Sequence, residues 1–184
     1  FGEEHLLVTV TPDIKVPLSF FEPLLPLGLE VLEAADNHLL DLDLTVALKL
    51  KVVDLEDNRV SSLLLPPSVT NLSLEKNYLN DSFWEEVVAS NPRLPKLSFL
   101  NIRDNNCLRS FDATIFPTLQ ELICSDCVLS DLDLPEGLIE LDCSDNQLTV
   151  LEFPASLQTV DCSSNNLDTL DFFFTETKDG ITST

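Results

Sequence analysis

The chain has 184 residues, 44% of them hydrophobic, which is enough for one domain or one compact repeat array with a sizeable core. Its 32 acidic and 10 basic residues give a net charge of −22. Such a surface repels phosphate groups, so we exclude nucleic acids and membranes as expected partners and favour a basic protein instead.

Residues 1–28 are predicted to form an N-terminal cap or a degenerate repeat. The segment LLVTV (residues 6–10) alternates like a strand, and PLLPLG (residues 23–28) resembles the frame that precedes each later repeat. A segment of this kind would cover the open end of a stack of repeats.

Residues 29–170 are predicted to hold seven copies of one short unit. LDCSDNQL (residues 141–148) and VDCSSNNL (residues 160–167) are almost the same and lie nineteen residues apart. Both fit the leucine-rich repeat pattern L-x-x-L-x-L-x-x-N/C-x-L, whose positions we number from 1 to 11. Position 9 falls at seven places along the chain: Asn37, Asn58, Asn77, Asn105, Cys127, Asn146 and Asn165.

This pattern predicts a leucine-rich repeat solenoid of the α/β repeat class. Positions 4 and 6 share one face of a short strand and point inward, because side chains alternate along a strand. The asparagine at position 9 can satisfy backbone groups that the following turn would bury. One repeat cannot bury its apolar face alone, so the repeats stack, and their strands form a curved parallel sheet on the concave side.

The convex side is predicted to be mostly extended or irregular. The segments VSSLLLPPSV (60–69), LSDLDLPEGL (129–138) and LTVLEFPASL (148–157) share a frame that ends in proline, which cannot continue a helix.

One helix is expected near residues 83–90, inside the longest interval between position-9 residues. Ser82 and Glu85 form a capping-box pattern there, and Asn91-Pro92 is a stop signal. Trp84 and its neighbour Phe83 are expected to pack on the convex side rather than form a ligand cage. Residues 171–184 are predicted to be a C-terminal cap or tail.

LPEGLIELDCSDNQLTVL and FPASLQTVDCSSNNLDTL resemble the short leucine-rich repeats of bacteria, and most of all those of type-III and type-IV secreted effectors. The resemblance covers about residues 29–170. It implies a secreted virulence protein whose concave face binds a protein of a eukaryotic host. It also implies a location in the host cytosol, with the bacterial cytoplasm as the alternative. It transfers no catalytic residue to this chain.

The candidate partner-binding site is the concave face, which displays positions 3, 5, 7 and 8. Its N-terminal half is acidic and is expected to steer a basic partner. Arg103, with the apolar Phe99 and Ile123 beside it, has the composition of an interface centre. Alternatively, Arg103 only pairs with a neighbouring carboxylate such as Glu75. The predicted contact residues are Glu33, Asp54, Glu56, Glu75, Phe99, Asn101, Arg103, Ile123, Asp142 and Asp161.

The cysteines are expected to be structural. Cys124, Cys143 and Cys162 occupy position 6 and should stack in the core, and Cys127 and Cys107 also fall on inward positions. Five thiols, an odd number, favour a reducing compartment. We expect no metal and no cofactor, because no second Cys-x-x-Cys or nearby histidine completes a site.

These observations predict a monomeric protein-interaction module that is not an enzyme. Two alternatives stay open. The chain could be the substrate-recognition fragment of a larger enzyme, such as a ubiquitin ligase whose catalytic domain is absent here. It could also be a surface adhesion or structural array, although the five cysteines argue against an oxidising location.

Overall fold

The computed structural model describes residues 6–9, 27–90 and 94–169, with the backbone alone described for 6–9 and 88–90. Most of the predicted N-terminal cap and all of the predicted C-terminal tail lie outside these residues. One α-helix, α1 (Asp81–Ser90), and twelve strands are described. The strands are β1 (Leu6–Thr9), β2 (Leu29–Glu33), β3 (Asp41–Asp43), β4 (Val52–Asp54), β5 (Ser62–Leu64), β6 (Asn71–Ser73), β7 (Phe99–Asn101), β8 (Ser110–Asp112), β9 (Glu121–Ile123), β10 (Asp131–Asp133), β11 (Glu140–Asp142) and β12 (Thr159–Asp161).

Eight of these strands form one parallel sheet in the order β1-β2-β4-β6-β7-β9-β11-β12. Seven of them begin within two residues of position 3 of a predicted repeat, so the repeat register read from the sequence is confirmed. The eighth, β1, pairs with β2 and confirms the strand expected in LLVTV. In the described part of the chain, no helix is both long and apolar enough to cross a membrane.

The convex side carries two further parallel ribbons, β3 with β5 and β8 with β10. The prediction of extended convex segments is therefore right, but the pairing between neighbouring repeats was not foreseen. Proline at the end of each segment does not prevent this pairing, because Pro66 and Pro135 lie just after the paired residues.

The core lies between the sheet and the convex ribbons and consists mainly of leucine. Leu29, Leu32, Leu50, Leu72 and Leu100, all from positions 1 and 4, are at most 1% exposed. Burying one such side chain contributes about 1.5–3 kcal/mol, so each added repeat extends a continuous stabilising column.

Asparagines at position 9 join each repeat to the one before it. The Asn58 side-chain oxygen accepts from the Leu39 N–H at 3.0 Å, and its Nδ2 donates to the Ala34 oxygen at 2.9 Å. Asn77, Asn105, Asn146 and Asn165 make the equivalent pair of bonds. Each amide thus satisfies a donor and an acceptor that the stacking of repeats would otherwise bury unpaired.

Cys127 takes the asparagine position in one repeat and reproduces half of this arrangement. Its Sγ donates to the Ile102 oxygen at 3.4 Å, the same carbonyl position that an asparagine would reach. Cys107, by contrast, is exposed, so its predicted inward position is wrong. The Leu108 N–H donates to the Asn105 oxygen and closes a turn, which moves the buried position one residue along to Leu108.

Helix α1 begins at Asp81, two residues before the predicted start. The Asn80 side-chain oxygen accepts from the Phe83 N–H at 3.2 Å, so Asn80 caps the helix. Ser82 instead donates its hydroxyl to Asn80 at 2.7 Å, and the predicted Ser82 capping box is wrong. Phe83 and Trp84 are buried on the convex side as predicted.

Candidate functional site

The strand register lines up the concave side chains in two rows. Val31, Val52, Asn71, Phe99, Glu121, Glu140 and Thr159 form the position-3 row. Glu33, Asp54, Ser73, Asn101, Ile123, Asp142 and Asp161 form the position-5 row. All of these residues are at least partly exposed, so the two rows are the floor of the concave surface.

Most of the position-5 residues also have a structural role. Asp54 accepts from the Glu56 N–H at 3.1 Å, and Asp142 and Asp161 accept from the N–H groups two residues on at 3.1 and 3.0 Å. Asn101 does the same for Arg103 at 3.0 Å. These are Asx-turns, which asparagine and aspartate favour equally well. The bonds from the Ser163 hydroxyl and N–H also lower the pKa of Asp161.

The N-terminal half of the concave face carries the acidic residues Glu33, Asp54, Glu56 and Glu75, and a lysine neutralises part of their charge. Lys76 Nζ lies 3.3 Å from Glu56 and 3.5 Å from Glu75, and these contacts raise the pKa of Lys76, chiefly through the hydrogen bond to Glu56. Lys76 is at position 8 of its repeat, so Arg103 is not the only basic residue on the described concave positions. Glu33 is exposed at the N-terminal end of the row.

Arg103 pairs with Asp126 rather than with Glu75. Its Nη2 lies 2.7 Å from Asp126 Oδ2, and this hydrogen bond is the main cause of the raised pKa of Arg103. Glu75 instead accepts from Asn101 Nδ2 at 3.1 Å. The Arg103 side chain is still 50% exposed, which leaves it accessible to a partner.

Phe99 lies on β7 and Ile123 on the adjacent strand β9. Glu121 is directly opposite Phe99, and Ile123 is two residues beyond Glu121 on the same face of the sheet. Phe99 and Ile123 are half-buried. The strand register therefore places these two apolar side chains next to each other, and Arg103 follows β7 two residues after its last residue, Asn101. That the three form a binding centre stays a prediction.

Two glutamates that sequence reasoning missed lie side by side on the position-3 row. Glu121 is directly opposite Glu140 on the neighbouring strand. Burial, and then repulsion from Glu140, raise the pKa of Glu121. The column of position-3 residues would have shown both glutamates, because the pattern places them on the concave face.

The backbone conformation explains why aspartate recurs at position 8 of the repeats. All seven position-8 residues have positive φ, from 49° to 56°, and five of them are aspartate: Asp36, Asp57, Lys76, Asp104, Asp126, Asp145 and Ser164. Aspartate is one of the few residues besides glycine that enters this left-handed region readily. The turn favours aspartate without requiring it, since Lys76 and Ser164 adopt the same φ, so the recurrence of aspartate here is not by itself evidence of binding.

Replacing Asp145 with valine should lower the free energy of unfolding by about 1–2 kcal/mol, because a β-branched residue is strained at its φ of 54°. Asp145→Asn should change stability little. Gln147→Val, two residues away at an exposed site without positive φ, is the matched control. Urea unfolding measures the free energy of unfolding of all three variants. Equal losses in Asp145→Val and Gln147→Val would show that the positive φ of Asp145 does not strain a valine.

Among the described residues, no three His, Cys, Asp or Glu side chains are grouped so as to hold a metal ion. The geometry of the concave face is that of a broad polar surface with an apolar centre, which suits a macromolecular partner.

No family model matches this chain, and no curated protein matches its sequence. Solved structures do match its fold. YopM from Yersinia enterocolitica is 28% identical with a TM-score of 0.55, over 78% of this chain and 35% of that one. The functional domain of InlJ from Listeria monocytogenes is 25% identical with a TM-score of 0.70, over 90% and 36%. A complex of LRIM1 and APL1C matches at 25% identity and a TM-score of 0.57, over 76% and 31%.

The chain is a leucine-rich repeat solenoid. It is similar to bacterial proteins of this fold and spans about a third of the length of each neighbour named above. Proteins of this fold are typically non-catalytic modules that act in protein–protein interaction through their extended concave surfaces.

The InlJ domain is described as including a cysteine ladder. In this chain Cys124 and Cys143 are fully buried at position 6 of successive repeats, and Cys162 is half-buried at the next. Burial is the main reason that the pKa of Cys124 is well above its usual value and that of Cys143 is about 12. The pKa of Cys127 is raised to about 11, again chiefly by burial.

Native thiol labelling should separate these cysteines. Iodoacetamide at neutral pH should modify the exposed Cys107 fastest, whereas Cys124 and Cys143 should react only after unfolding in urea, because a buried thiol stays protonated and inaccessible. Mass spectrometry after cleavage at glutamate measures the rates, because Glu121, Glu136, Glu140 and Glu152 place Cys107, Cys143 and Cys162 on separate peptides, and fragmentation distinguishes Cys124 from Cys127. Comparable rates at Cys107 and Cys143 in the native protein would contradict the packing described here.

Proposed function

We propose that this chain is a protein-interaction module that binds a basic protein through its concave surface. The observation that carries the proposal is the Glu121–Glu140 pair, two like charges held side by side on neighbouring strands, with Glu121 half-buried and Glu140 exposed. A cationic side chain placed over this pair would relieve their repulsion, and would also be attracted by Asp142 and Asp161 farther along the sheet.

The centre of the surface supports the same proposal. Arg103, Phe99 and Ile123 provide a partly exposed guanidinium and two apolar side chains within a polar rim. Interfaces commonly concentrate their binding free energy in such a centre, while surrounding charges set the rate and salt dependence of association.

We also propose that the partner is a host protein and that the chain acts as a secreted effector module in a reducing compartment, as a monomer. The support is the resemblance of its repeats to those of secreted bacterial effectors, together with its similarity to YopM at 28% identity. Five free cysteines are compatible with a reducing location.

Affinity purification from a eukaryotic lysate tests the charge mechanism. A bait with Glu121→Gln and Glu140→Gln should retain the partner more weakly than the unmodified bait, and its retention should depend less on salt. The matched control is Glu136→Gln with Glu152→Gln, the same charge change at exposed convex sites. If both double variants weaken retention equally, the partner responds to net charge and the concave mechanism is wrong.

A further inference from the structure

Helix α1 interrupts the ribbons on the convex side. It follows β5 and precedes β8 in the order of the repeats and contacts both strands, so the β3-β5 and β8-β10 ribbons cannot join. A helix has no free backbone groups to offer along its side. Asp81 partly replaces the missing strand, because its Oδ1 accepts from the Arg109 and Ser110 N–H groups at 2.7 and 3.2 Å.

A groove of about 600 Å³ lies between α1 and β8. Its apolar wall consists of Trp84, Phe111 and the half-buried Ile115. The Trp84 and Phe111 ring centroids are 5.0 Å apart, which holds this wall in place. Trp84 and Phe111 are at most 5% exposed, so the half-buried Ile115 is the main apolar surface of this wall that a ligand can reach.

The Trp84 indole provides a second observation. Trp84 is 95% buried, yet its Nε1–H has no hydrogen-bond partner in the described structure. A buried donor left without an acceptor costs about 1–3 kcal/mol. Trp84 lines the groove and its Nε1 is itself buried, so a peptide carbonyl bound there reaches this donor only if the indole ring turns.

The rim of the groove is acidic. Asp81, Glu85 and Asp112 line it, and no lysine or arginine does so among the described residues. Asp112 uses Oδ1 to cap the following turn at Thr114 N, and Glu85 is exposed on the helix surface. Arg109 is close in sequence, and its backbone N–H donates to Asp81 at 2.7 Å.

We infer that this groove is a second docking site, on the convex side, for an extended peptide segment of a protein partner in which large apolar residues flank an arginine. The apolar side chain packs on Ile115, above the buried Phe111, and a backbone carbonyl accepts from the Trp84 indole. The guanidinium lies against Glu85 and Asp112. The site is independent of the concave surface proposed above.

Trp84 is the single tryptophan of the chain, so its indole N–H gives one isolated NMR cross-peak. The probe is the peptide acetyl-Leu-Arg-Val-Arg-Leu-amide, titrated to about 5 mM in about 150 mM salt. We expect a saturable downfield shift of the indole proton. The matched peptide with glutamine for both arginines should bind about tenfold more weakly.

Glu85→Gln should weaken binding of the arginine peptide about threefold to tenfold, whereas Glu86→Gln should leave it unchanged. Glu86 is the next residue on the same helix but lines the opposite groove, against β5, so it is a matched control for net charge.

The concave variant Phe99→Ala with Arg103→Glu should also bind the peptide normally, which separates this inference from the proposed function. Absence of a saturable indole shift, equal binding of the two peptides, or equal effects of the two glutamine variants would each overturn it.

Discussion

Replacing Asn105 with alanine should lower the free energy of unfolding by about 3–5 kcal/mol. Asn105 is fully buried and its amide makes five hydrogen bonds. It accepts from the N–H groups of Asn77 and Leu79 and donates to the carbonyls of Leu74, Ile102 and Arg103. The carbonyls of Ile102 and Arg103 keep bonds from Cys127 Sγ and the Lys76 N–H. Alanine would remove the amide partner of the other three groups, the N–H groups of Asn77 and Leu79 and the carbonyl of Leu74, and each unpaired buried group costs about 1–3 kcal/mol.

Asn106→Ala is the matched control for this variant. Asn106 is the next residue, but it is exposed and its amide donates only to Asp104 at 2.9 Å. We expect it to change stability by less than about 0.5 kcal/mol. Urea unfolding followed by circular dichroism gives both values, and a small effect of Asn105→Ala would mean that water replaces the amide.

The same asparagine explains why the fold could be predicted from the sequence. Each repeat needs a buried amide at position 9 and apolar residues at positions 1, 4 and 6, so the chemistry of stacking fixes residue types at a regular spacing. The helix was also foreseeable, because the Asn91-Pro92 pattern in the sequence predicts a stop and the described helix ends at Ser90. Its start was placed too late because Ser82 imitates a cap, while the residue that caps it is Asn80.

The candidate site was less predictable because an aspartate can be present either to bind a partner or to stabilise a turn of the backbone. Asp142 on the concave row closes an Asx-turn, and Asp145 at position 8 relieves a left-handed turn. A column of aspartates therefore has the same sequence signature whether it binds a partner or shapes the chain. Glu121 and Glu140 are a clearer indication of a binding role. A glutamate at position 3 of a strand forms neither the Asx-turn nor the left-handed turn, so neither turn explains why it is there.

The convex groove could not have been predicted from the repeat pattern at all. Trp84 comes from the helix, while Phe111 and Ile115 come from the next repeat, and only the packing of α1 against β8 brings them together. Sequence periodicity describes what the repeats share, so a site that arises where one repeat departs from the others has no periodic signal.

The second large effect is expected at the concave centre. A bait with Phe99→Ala and Arg103→Glu should bind the partner about 30-fold to 1,000-fold more weakly, a loss of about 2–4 kcal/mol, since it removes an apolar contact and reverses the central charge. The fold should survive, because both side chains of the Arg103–Asp126 pair are at least 40% exposed and such pairs contribute at most about 1 kcal/mol.

Val46→Ala with Lys49→Glu provides the matched control for this loss. Both residues are exposed and lie after β3, outside the concave sheet, and the pair repeats the truncation of an apolar side chain and the reversal of a positive charge. Quantitative mass spectrometry of proteins captured by the three baits, with thermal unfolding of each bait, gives the comparison. A partner retained by the Phe99 and Arg103 variant as well as by the control would place the binding surface away from the concave centre, because no interface that covers this centre could tolerate both changes.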